Sequence, residues 1–173
     1  MKKTFIAAAV AASFIPVGLM AAEAGKLKVE ESVEINAPAD AVWQKVSNFE
    51  DLGAWHPAVK STEIVSGTNN KAGAVRLLTL QDNGTIKEQL VNYKPAKRSY
   101  TYKILEGVLP VSHYVSTITV KPLTANTTKV TWKGNFNRKD MAAASPADAD
   151  AESVKVITSV YRGGLDNLKK ISE

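Results

Sequence analysis

The sequence predicts an α+β domain in which a curved antiparallel sheet wraps around one long C-terminal helix. Seven segments carry the alternating or β-branched pattern of strands, and Gly, Asn and Pro turns separate the later ones. Two short helical segments follow the first strand. In the last predicted helix, residues 148–171, apolar side chains recur at three- and four-residue steps and form one face. A curved sheet with a helix along its concave face is expected to enclose an internal cavity.

The elements are predicted in a simple order along the chain. The first strand spans residues 26–35, and Pro38 then begins a helix that continues through Val46, because a first-turn position needs no N–H donor. A second short helix is expected at 49–54. A stretch rich in Ala, Asp, Ser and Pro, residues 141–151, predicts a linker or lid before the long helix. The six later strands are expected at 61–66, 74–80, 85–93, 99–106, 113–121 and 129–137.

The N-terminus has the three parts of a signal peptide in their usual order. Lys2 and Lys3 give a positive start, and an apolar run follows at 5–14. Ala22-Glu23-Ala24 then supplies small residues at the two positions that a signal peptidase reads. We therefore predict a signal peptide at residues 1–24, a periplasmic location in a bacterium, and one mature domain at residues 25–173.

An N-terminal membrane anchor is the alternative reading of the same segment. The uncharged stretch at residues 4–22 is long enough to span a bilayer. Pro16 and Gly18 interrupt that stretch, and a cleavage site follows it, so we expect no stable membrane anchor after cleavage. A bacterial lipid anchor would need a cysteine after the cut, and the chain has none.

The composition excludes several classes of function. Absence of cysteine rules out disulfides, thiolate metal ligands and a thiol nucleophile. Loss of Lys2, Lys3 and Glu23 from 22 basic and 17 acidic residues would leave 20 and 16, a net charge of +4. These basic residues are scattered, so nucleic-acid binding is not expected, although an acidic partner would be attracted.

His56 and His113 lie far apart, and no nucleophile elbow or phosphate loop occurs, so we predict no metal, no cofactor and no catalytic residue.

The turn at Asp82-Asn83-Gly84 sets the register of a predicted hairpin. A two-residue Asn-Gly turn would bring unlike faces of the two strands together. A three-residue loop with Gly84 in the left-handed conformation brings the apolar faces into agreement, and we prefer it. That register pairs Leu80 with Ile86, Leu78 with Glu88, and Arg76 with Leu90.

Arg76 and Glu88 thereby become diagonal neighbours on an apolar face, within reach of each other's long side chains. A charge among leucines is costly unless it is paired. Two interpretations stay open. The residues form a buried ion pair that only satisfies itself, or they form a polar anchor for one carboxyl or carbonyl group of a ligand in the cavity.

Five further cavity candidates are aromatic or histidine side chains: Trp55, His56, Tyr102, Trp132 and Tyr161. Trp55 and His56 follow the second short helix, where they either plug the cavity mouth or contact a ligand. Packing is the commoner role for such groups. Trp132 lies on a strand face, where aromatic residues usually form core. Tyr102 could join Arg76 and Glu88 as an acid–base group of a cyclase-like enzyme.

Two adjacent glycines, Gly163 and Gly164, lie in the middle of the last helix. Glycine costs about 1 kcal/mol relative to alanine in a helix interior. Either the glycines permit close packing of the helix on the sheet, or they leave room for a ligand.

Four segments carry a resemblance to a known family: residues 48–57 (NFEDLGAWHP), 73–90, 102–111 (YKILEGVLPV) and 161–170 (YRGGLDNLKK). The order of elements resembles the helix-grip fold of the START-related (SRPBCC) superfamily, which includes polyketide cyclase/dehydrase-like proteins. The segments are similar to MxaD-type proteins, periplasmic accessory factors of methanol oxidation. The resemblance implies a non-enzymatic helper that improves coupling between methanol dehydrogenase and its cytochrome c acceptor.

The same resemblance identifies two loops at the cavity mouth. Leu109-Pro110-Val111 corresponds to a latch loop in the abscisic-acid receptors, which are plant hormone receptors of the same superfamily. The companion gate motif of those receptors, Gly-Leu-Pro-Ala, is replaced here by Asp82-Asn83-Gly84. The departure argues against a lid that closes on a ligand.

Three hypotheses about function follow from the sequence. The first is the accessory protein of periplasmic methanol oxidation. The second is a carrier or sensor of a small apolar ligand, held in the cavity beside Arg76 and Glu88. The third is a cyclase or dehydratase enzyme.

Overall fold

The computed structural model describes residues 26–173, where seven strands form one antiparallel sheet. The order across the sheet is β1-β7-β6-β5-β4-β3-β2, so each strand lies beside its sequence neighbours except that β1 pairs with β7. The predicted signal peptide at residues 1–24 lies outside the described residues. The strands are β1 (Leu27–Ile35), β2 (Val59–Ser66), β3 (Val75–Leu80), β4 (Thr85–Lys94), β5 (Ser99–Gly107), β6 (Val111–Pro122) and β7 (Thr128–Arg138).

Helices occupy the two predicted places. Helix α1 (Ala39–Val46) follows β1, and Pro38 precedes it in an extended conformation. The second short segment is a single 3₁₀ turn, Leu52–Ala54. Another 3₁₀ turn, Pro95–Lys97, joins β4 to β5. The α+β helix-grip architecture expected from the sequence is thus confirmed.

The long helix α2 (Pro146–Ser172) begins two residues before its predicted start. Residues 146–151 of the predicted linker are therefore helical, and that part of the linker prediction is wrong. Pro146 sits in the first turn, where its missing N–H costs nothing, and Asp148 places a negative charge near the helix N-terminus. Both features favour an early start. Within residues 26–173, no helix is long and apolar enough to cross a membrane.

The core lies between the concave face of the sheet and α2. Side chains alternate along each strand, so one face of β7 buries Val130, Trp132 and Phe136 while the other presents polar residues. Full burial of a large apolar side chain contributes about 1.5–3 kcal/mol. The buried residues of α2 are Ser153, Ile157, Tyr161, Gly164, Leu165 and Leu168.

The β3–β4 hairpin corrects the predicted register. Arg76 lies directly opposite Glu88, and Leu78 lies opposite Ile86. The loop has three residues as predicted, but it is centred one residue earlier, and Asn83 rather than Gly84 takes the left-handed conformation, with φ of 67°. The N–H of Gly84 donates to Asp82 Oδ1 at 2.9 Å, which holds this turn. The observed register differs from the predicted one by two residues, an even number, so the same faces of β3 and β4 still meet.

Strands β5 and β6 pair only along part of their length. The ladder runs from Ser99 opposite Thr119 to Lys103 opposite Val115, and no pairing continues beyond it in the described residues. At that point β6 bulges against β7, and His113 has a φ of 51°. A bulge bends its strand away from its neighbour. The sheet therefore has a gap between the end of β5 and the start of β6.

Candidate functional site

A buried ion pair joins β3 to β4 under the concave face. Arg76 Nε donates to Glu88 Oε2 at 2.7 Å, and Nη2 lies 2.6 Å from the same oxygen. Nη1 donates to the carbonyl oxygen of Phe49 at 2.8 Å. The guanidinium also lies over the Phe49 ring at 4.0 Å and the Tyr102 ring at 5.3 Å. The positive charge is thus surrounded by groups of the chain itself.

Burial and pairing act in opposite directions on the two charges. Burial raises the pKa of Glu88, and the Arg76 guanidinium works against that rise. Burial lowers the pKa of Arg76, but the attraction of Glu88, Tyr100 and Tyr102 and the hydrogen bond to Glu88 together outweigh it, so the net pKa shift is upward. Arginine therefore stays protonated, and removal of the carboxylate charge would leave a cation without compensation in the core.

A cluster of hydroxyl groups adjoins this pair. Tyr114 OH lies 2.6 Å from Tyr161 OH and 3.3 Å from Tyr102 OH. Ser116 Oγ lies 2.9 Å from Tyr161 OH and donates to the Lys133 carbonyl oxygen at 2.8 Å. The indole N–H of Trp132 donates to Tyr102 OH and Ser116 Oγ at 3.1 and 3.0 Å. The five side chains of this inner hydroxyl cluster are Tyr102, Tyr114, Ser116, Trp132 and Tyr161.

Close packing holds Tyr161 in the cluster. Its ring stacks on Trp132 at a centroid distance of 4.5 Å and an angle of 11°. Gly134 makes room for the phenol, because a Cβ atom at that position would lie 2.3 Å from Tyr161 OH. Burial raises the pKa of Tyr161 to about 12, and it raises the pKa of Tyr102 and Tyr114 well above 10. All three phenols are therefore neutral at physiological pH.

Trp55 and His56 fill the space between the sheet and α2. His56 Nε2 lies 3.0 Å from the carbonyl oxygen of Val160, and Nδ1 accepts the N–H of Ala58 at 3.3 Å. This arrangement fits a neutral ring with its proton on Nε2. Burial lowers the pKa of His56, and the charge of Arg76 lowers it further. Gly164 lets the rings approach α2, because its Cβ would lie 2.7 Å from His56 Cδ2.

The space left inside the sheet is small. It has a volume of about 70 Å³, against roughly 300–1,000 Å³ for typical small-molecule sites. Aromatic rings and aliphatic side chains of the core fill the rest of the concave face. The residues that line this inner cavity are Leu52, His56, Ala58, Val59, Leu78, Leu80, Ile86, Glu88, Tyr102, Ile104, Leu109, Tyr114, Trp132 and Val160.

The two predicted mouth loops meet at one end of the sheet. A Cβ atom on Gly84 would lie 3.1 Å from Val108 Cγ2, so the Asp82–Gly84 turn contacts the β5–β6 loop. In that loop Leu109 lines the inner cavity, and Val111 is buried. The carbonyl oxygen of Pro110 accepts from Ser153 Oγ at 3.1 Å, which fastens the loop to α2.

The convex side of the sheet carries an excess of lysine. Lys121 on β6 lies directly opposite Lys129 on β7, and Lys133 lies opposite Glu30 of β1. Glu30 itself forms an ion pair with Lys28 at 3.1 Å. Two acidic residues, Glu30 and Glu34, share this side of β1 with the lysines. We call the five residues Lys28, Lys103, Lys121, Lys129 and Lys133 the outer lysine face.

The family model for polyketide cyclase/dehydrase and lipid transport proteins matches residues 26–173. The chain belongs to this family. The protein XoxI from Bacillus cereus is 32% identical, with a TM-score of 0.74 over 84% of this chain and 94% of that one. A protein from Nitrosospira multiformis is 29% identical, with a TM-score of 0.71 over 85% and 97%. The Zhui aromatase/cyclase from a Streptomyces species is 20% identical, with a TM-score of 0.73 over 85% and 93%, and that likeness shows the fold alone.

In this member of the cyclase/dehydrase family, the fold brings all seven predicted interior residues into one buried cluster. Arg76 lies beside Glu88 and Tyr102, and Trp132 joins Tyr102 to Tyr161. Trp55 and His56 complete the cluster, since each ring lies within 6 Å of the Trp132 ring.

Sequence reasoning missed Tyr114, Ser116, Gly134 and the carbonyl group of Phe49. Tyr114 and Ser116 fall on the alternate positions of β6 that face the core, so strand alternation could have indicated them. Gly134 pairs with Ser116 across β6 and β7, and no local pattern in the sequence signals that contact.

The buried cluster is better suited to neutral hydrogen bonding than to acid–base catalysis. Three phenols with raised pKa values are weak acids at neutral pH, and both ring nitrogens of His56 already have backbone partners. Glu88 is the one carboxylate that lines the inner cavity in the described residues, and Arg76 holds it.

Proposed function

We propose that this protein is a non-enzymatic accessory protein of the periplasm. Its role is to assist the interaction of methanol dehydrogenase with a cytochrome c acceptor, as in the MxaD-type proteins that it resembles. The observation that carries the proposal is the contrast between a filled interior and a convex face on which lysines outnumber the neighbouring carboxylates.

The interior supports a structural role for the predicted cavity residues. A volume of about 70 Å³ is several-fold below the roughly 300 Å³ at the low end of small-molecule sites. Arg76, the strongest candidate anchor, is held by Glu88 and the Phe49 carbonyl group. A large substrate or cargo would therefore have to displace several packed rings.

The outer lysine face supports an acidic partner. Like charges directly opposite one another on neighbouring strands destabilise a sheet, yet Lys121 lies opposite Lys129. Glu34 of β1, opposite Lys129 on its other side, offsets only part of this repulsion. Within residues 26–173, neither of these lysines nor Lys133 forms an ion pair. An acidic protein surface would relieve this repulsion and be steered to it by charge.

A periplasmic role requires export of the protein, which the predicted signal peptide would provide. Cleavage after Ala24 would release the mature domain into the compartment where such electron-transfer partners meet. N-terminal sequencing of the exported protein should begin at Gly25. A sequence that begins at Met1 would contradict the periplasmic role.

A reconstituted assay with methanol dehydrogenase and its cytochrome c tests the accessory role. The protein should raise the rate of cytochrome reduction, and the gain should fall as salt rises, because exposed charges are screened over about 8 Å at physiological ionic strength. Lys121→Glu and Lys133→Glu should reduce the gain, whereas Lys170→Glu on α2 is the matched charge reversal away from the face. No gain at any salt concentration would overturn the proposal.

A cyclase or dehydratase activity is the second candidate. Family membership favours it, together with Glu88, Tyr102 and Tyr114 beside the inner cavity. This candidate predicts turnover of a poly-β-carbonyl thioester and loss of turnover in Tyr114→Phe. The accessory role predicts no product from the same substrate.

A further inference from the structure

A wide groove lies on the outside of the sheet, where β5 and β6 separate. Beyond the Lys103–Val115 pair the two strands diverge around the bulge at His113, and a groove of about 690 Å³ opens between them. That volume falls within the range of roughly 300–1,000 Å³ for small-molecule sites. The residues that line this β5–β6 groove are Lys103, Ile104, Leu105, Glu106, Gly107, Leu109, Val111, Ser112, His113, Tyr114, Val115 and Lys139.

The walls of the β5–β6 groove are apolar and open to solvent. Leu105 is 47% exposed and Val115 is 42% exposed, although most large apolar side chains of the sheet are buried. They lie on the strands that flank the gap, so their exposed surfaces belong to one groove. Exposed apolar surface of this kind within a concave feature is typical of binding sites.

The groove and the inner cavity share part of their walls. Ile104, Leu109 and Tyr114 line both spaces. The partition between them is therefore one layer of side chains thick. Tyr114 connects this layer to the inner hydroxyl cluster through Tyr161.

The polar groups at the groove carry a net positive charge. Lys103 forms no ion pair within residues 26–173, and Lys139 Nζ donates only to the carbonyl oxygen of Gly107, at 2.9 Å. The single carboxylate among the lining residues, Glu106, is already paired with Lys87. Two ammonium groups beside apolar walls match an anionic group attached to an apolar chain.

We propose that the β5–β6 groove binds a small amphipathic carboxylate. The acidic group contacts the ammonium group of Lys103, and the apolar chain lies along Leu105 and Val115 towards Tyr114. The groove shares Leu109 and Val111 with one predicted mouth loop and Lys103 with the outer lysine face. The binding of a small carboxylate there does not depend on the accessory role proposed above.

A small molecule fits this groove better than a segment of a partner protein. The groove ends on the thin partition of the inner cavity, so an apolar chain can approach buried side chains there. A flat protein surface laid over the groove would not reach these buried side chains and would gain no apolar contact with them. An acidic protein segment is therefore the competing occupant that the experiment must separate.

Dodecanoate, below its micelle-forming concentration, is the probe, and isothermal titration calorimetry on the full chain is the measurement. Lys103→Glu and Leu105→Ser should each weaken binding at least tenfold. Lys170→Glu and Leu123→Ser are the matched controls on other exposed surface, and they should change the dissociation constant less than twofold. Dodecyltrimethylammonium has the same chain with the opposite charge, and it should bind at least tenfold more weakly than dodecanoate.

Methyl NMR spectra of the same titration locate the ligand. The methyl resonances of Leu105, Leu109 and Val115 should shift most. Larger shifts at Leu78 and Ile86 would place dodecanoate in the inner cavity and overturn the proposal. Absence of dodecanoate binding, or equal weakening by the control variants, would also overturn it. If dodecanoate does not bind but Lys103→Glu lowers the gain in the cytochrome assay, the groove is a protein contact instead.

Discussion

The two sides of the sheet satisfy their charged groups in opposite ways. On the concave side Arg76 and Glu88 are almost completely buried, and the chain supplies their partners. On the convex side Lys121 and Lys129 face each other without an ion pair in the described residues. Burial makes an unpaired charge very costly, so the interior must be closed. Water tolerates unpaired charges on the outside, so that side is free to meet a partner.

The comparison separates residues that hold the fold from residues that are available to bind. Arg76 and Glu88 neutralise each other inside the core, and although Arg76 Nη2 makes no hydrogen bond, the pair has little charge left to offer a ligand. Exposed lysines and leucines beside a gap in the sheet keep their binding capacity. Predictions about the interior should therefore appear as stability effects, and predictions about the outer face should appear as binding effects.

The largest expected effect comes from the buried ion pair. Glu88→Gln removes the carboxylate charge and leaves Arg76 as an uncompensated cation in the core, which should cost about 3–5 kcal/mol of unfolding free energy. Chemical denaturation measures this cost. Glu106→Gln removes the exposed pair with Lys87 and should leave the denaturation midpoint unchanged. Equal effects of the two substitutions would mean that burial does not distinguish the pairs.

Alanine at the two adjacent helix glycines should have opposite effects. In Gly164→Ala the new methyl group would lie 2.7 Å from His56 Cδ2 and 3.0 Å from Trp132 Cζ3. Overpacking of this kind costs about 1–3 kcal/mol. In Gly163→Ala the methyl group meets no atom within 4 Å, so the higher helix propensity of alanine should stabilise the protein by about 1 kcal/mol. Thermal denaturation of both variants checks the ranking, and the same sign for both would contradict the packing described here.

A smaller effect is expected from the titration of His56. Burial lowers its pKa below the ordinary value of 6.5, so the unfolded chain takes up the proton first as pH falls. The stability contribution of the neutral ring is complete above pH 6.5 and is lost as pH falls through the folded-state pKa. The stability difference between wild type and His56→Gln should therefore shrink on acidification. Parallel stability curves at all pH values would show that His56 has no shifted pKa.

The sequence was sufficient to predict the strands and the face that each residue occupies. Alternation placed Arg76 and Glu88 on one face, and that face proved to be the buried one. The register was predicted two residues away from the observed one. The cause of this difference is local. Asp82 Oδ1 accepts the N–H of Gly84, and Asn83 adopts the left-handed conformation that had been expected at Gly84.

The inner hydroxyl cluster and the β5–β6 groove could not be predicted in the same way. The cluster depends on β6 lying beside β7 and on α2 packing against this side of the sheet, so that Ser116, Gly134 and Tyr161 meet. The groove depends on a bulge at His113, which lies within a regular strand pattern and has no Gly or Pro beside it to signal the break. Contacts between distant segments decide both features.

The most direct test compares the two sides of the sheet in the reconstituted cytochrome reduction assay. Lys133→Glu alters the convex side alone, and Tyr114→Phe removes one hydroxyl group from the inner cluster without opening a large cavity. We predict that Lys133→Glu lowers the salt-sensitive rate gain, while folded Tyr114→Phe keeps the gain of the wild type. Loss of the gain in Tyr114→Phe together with full gain in Lys133→Glu would contradict the account, because the interior would then be the working site.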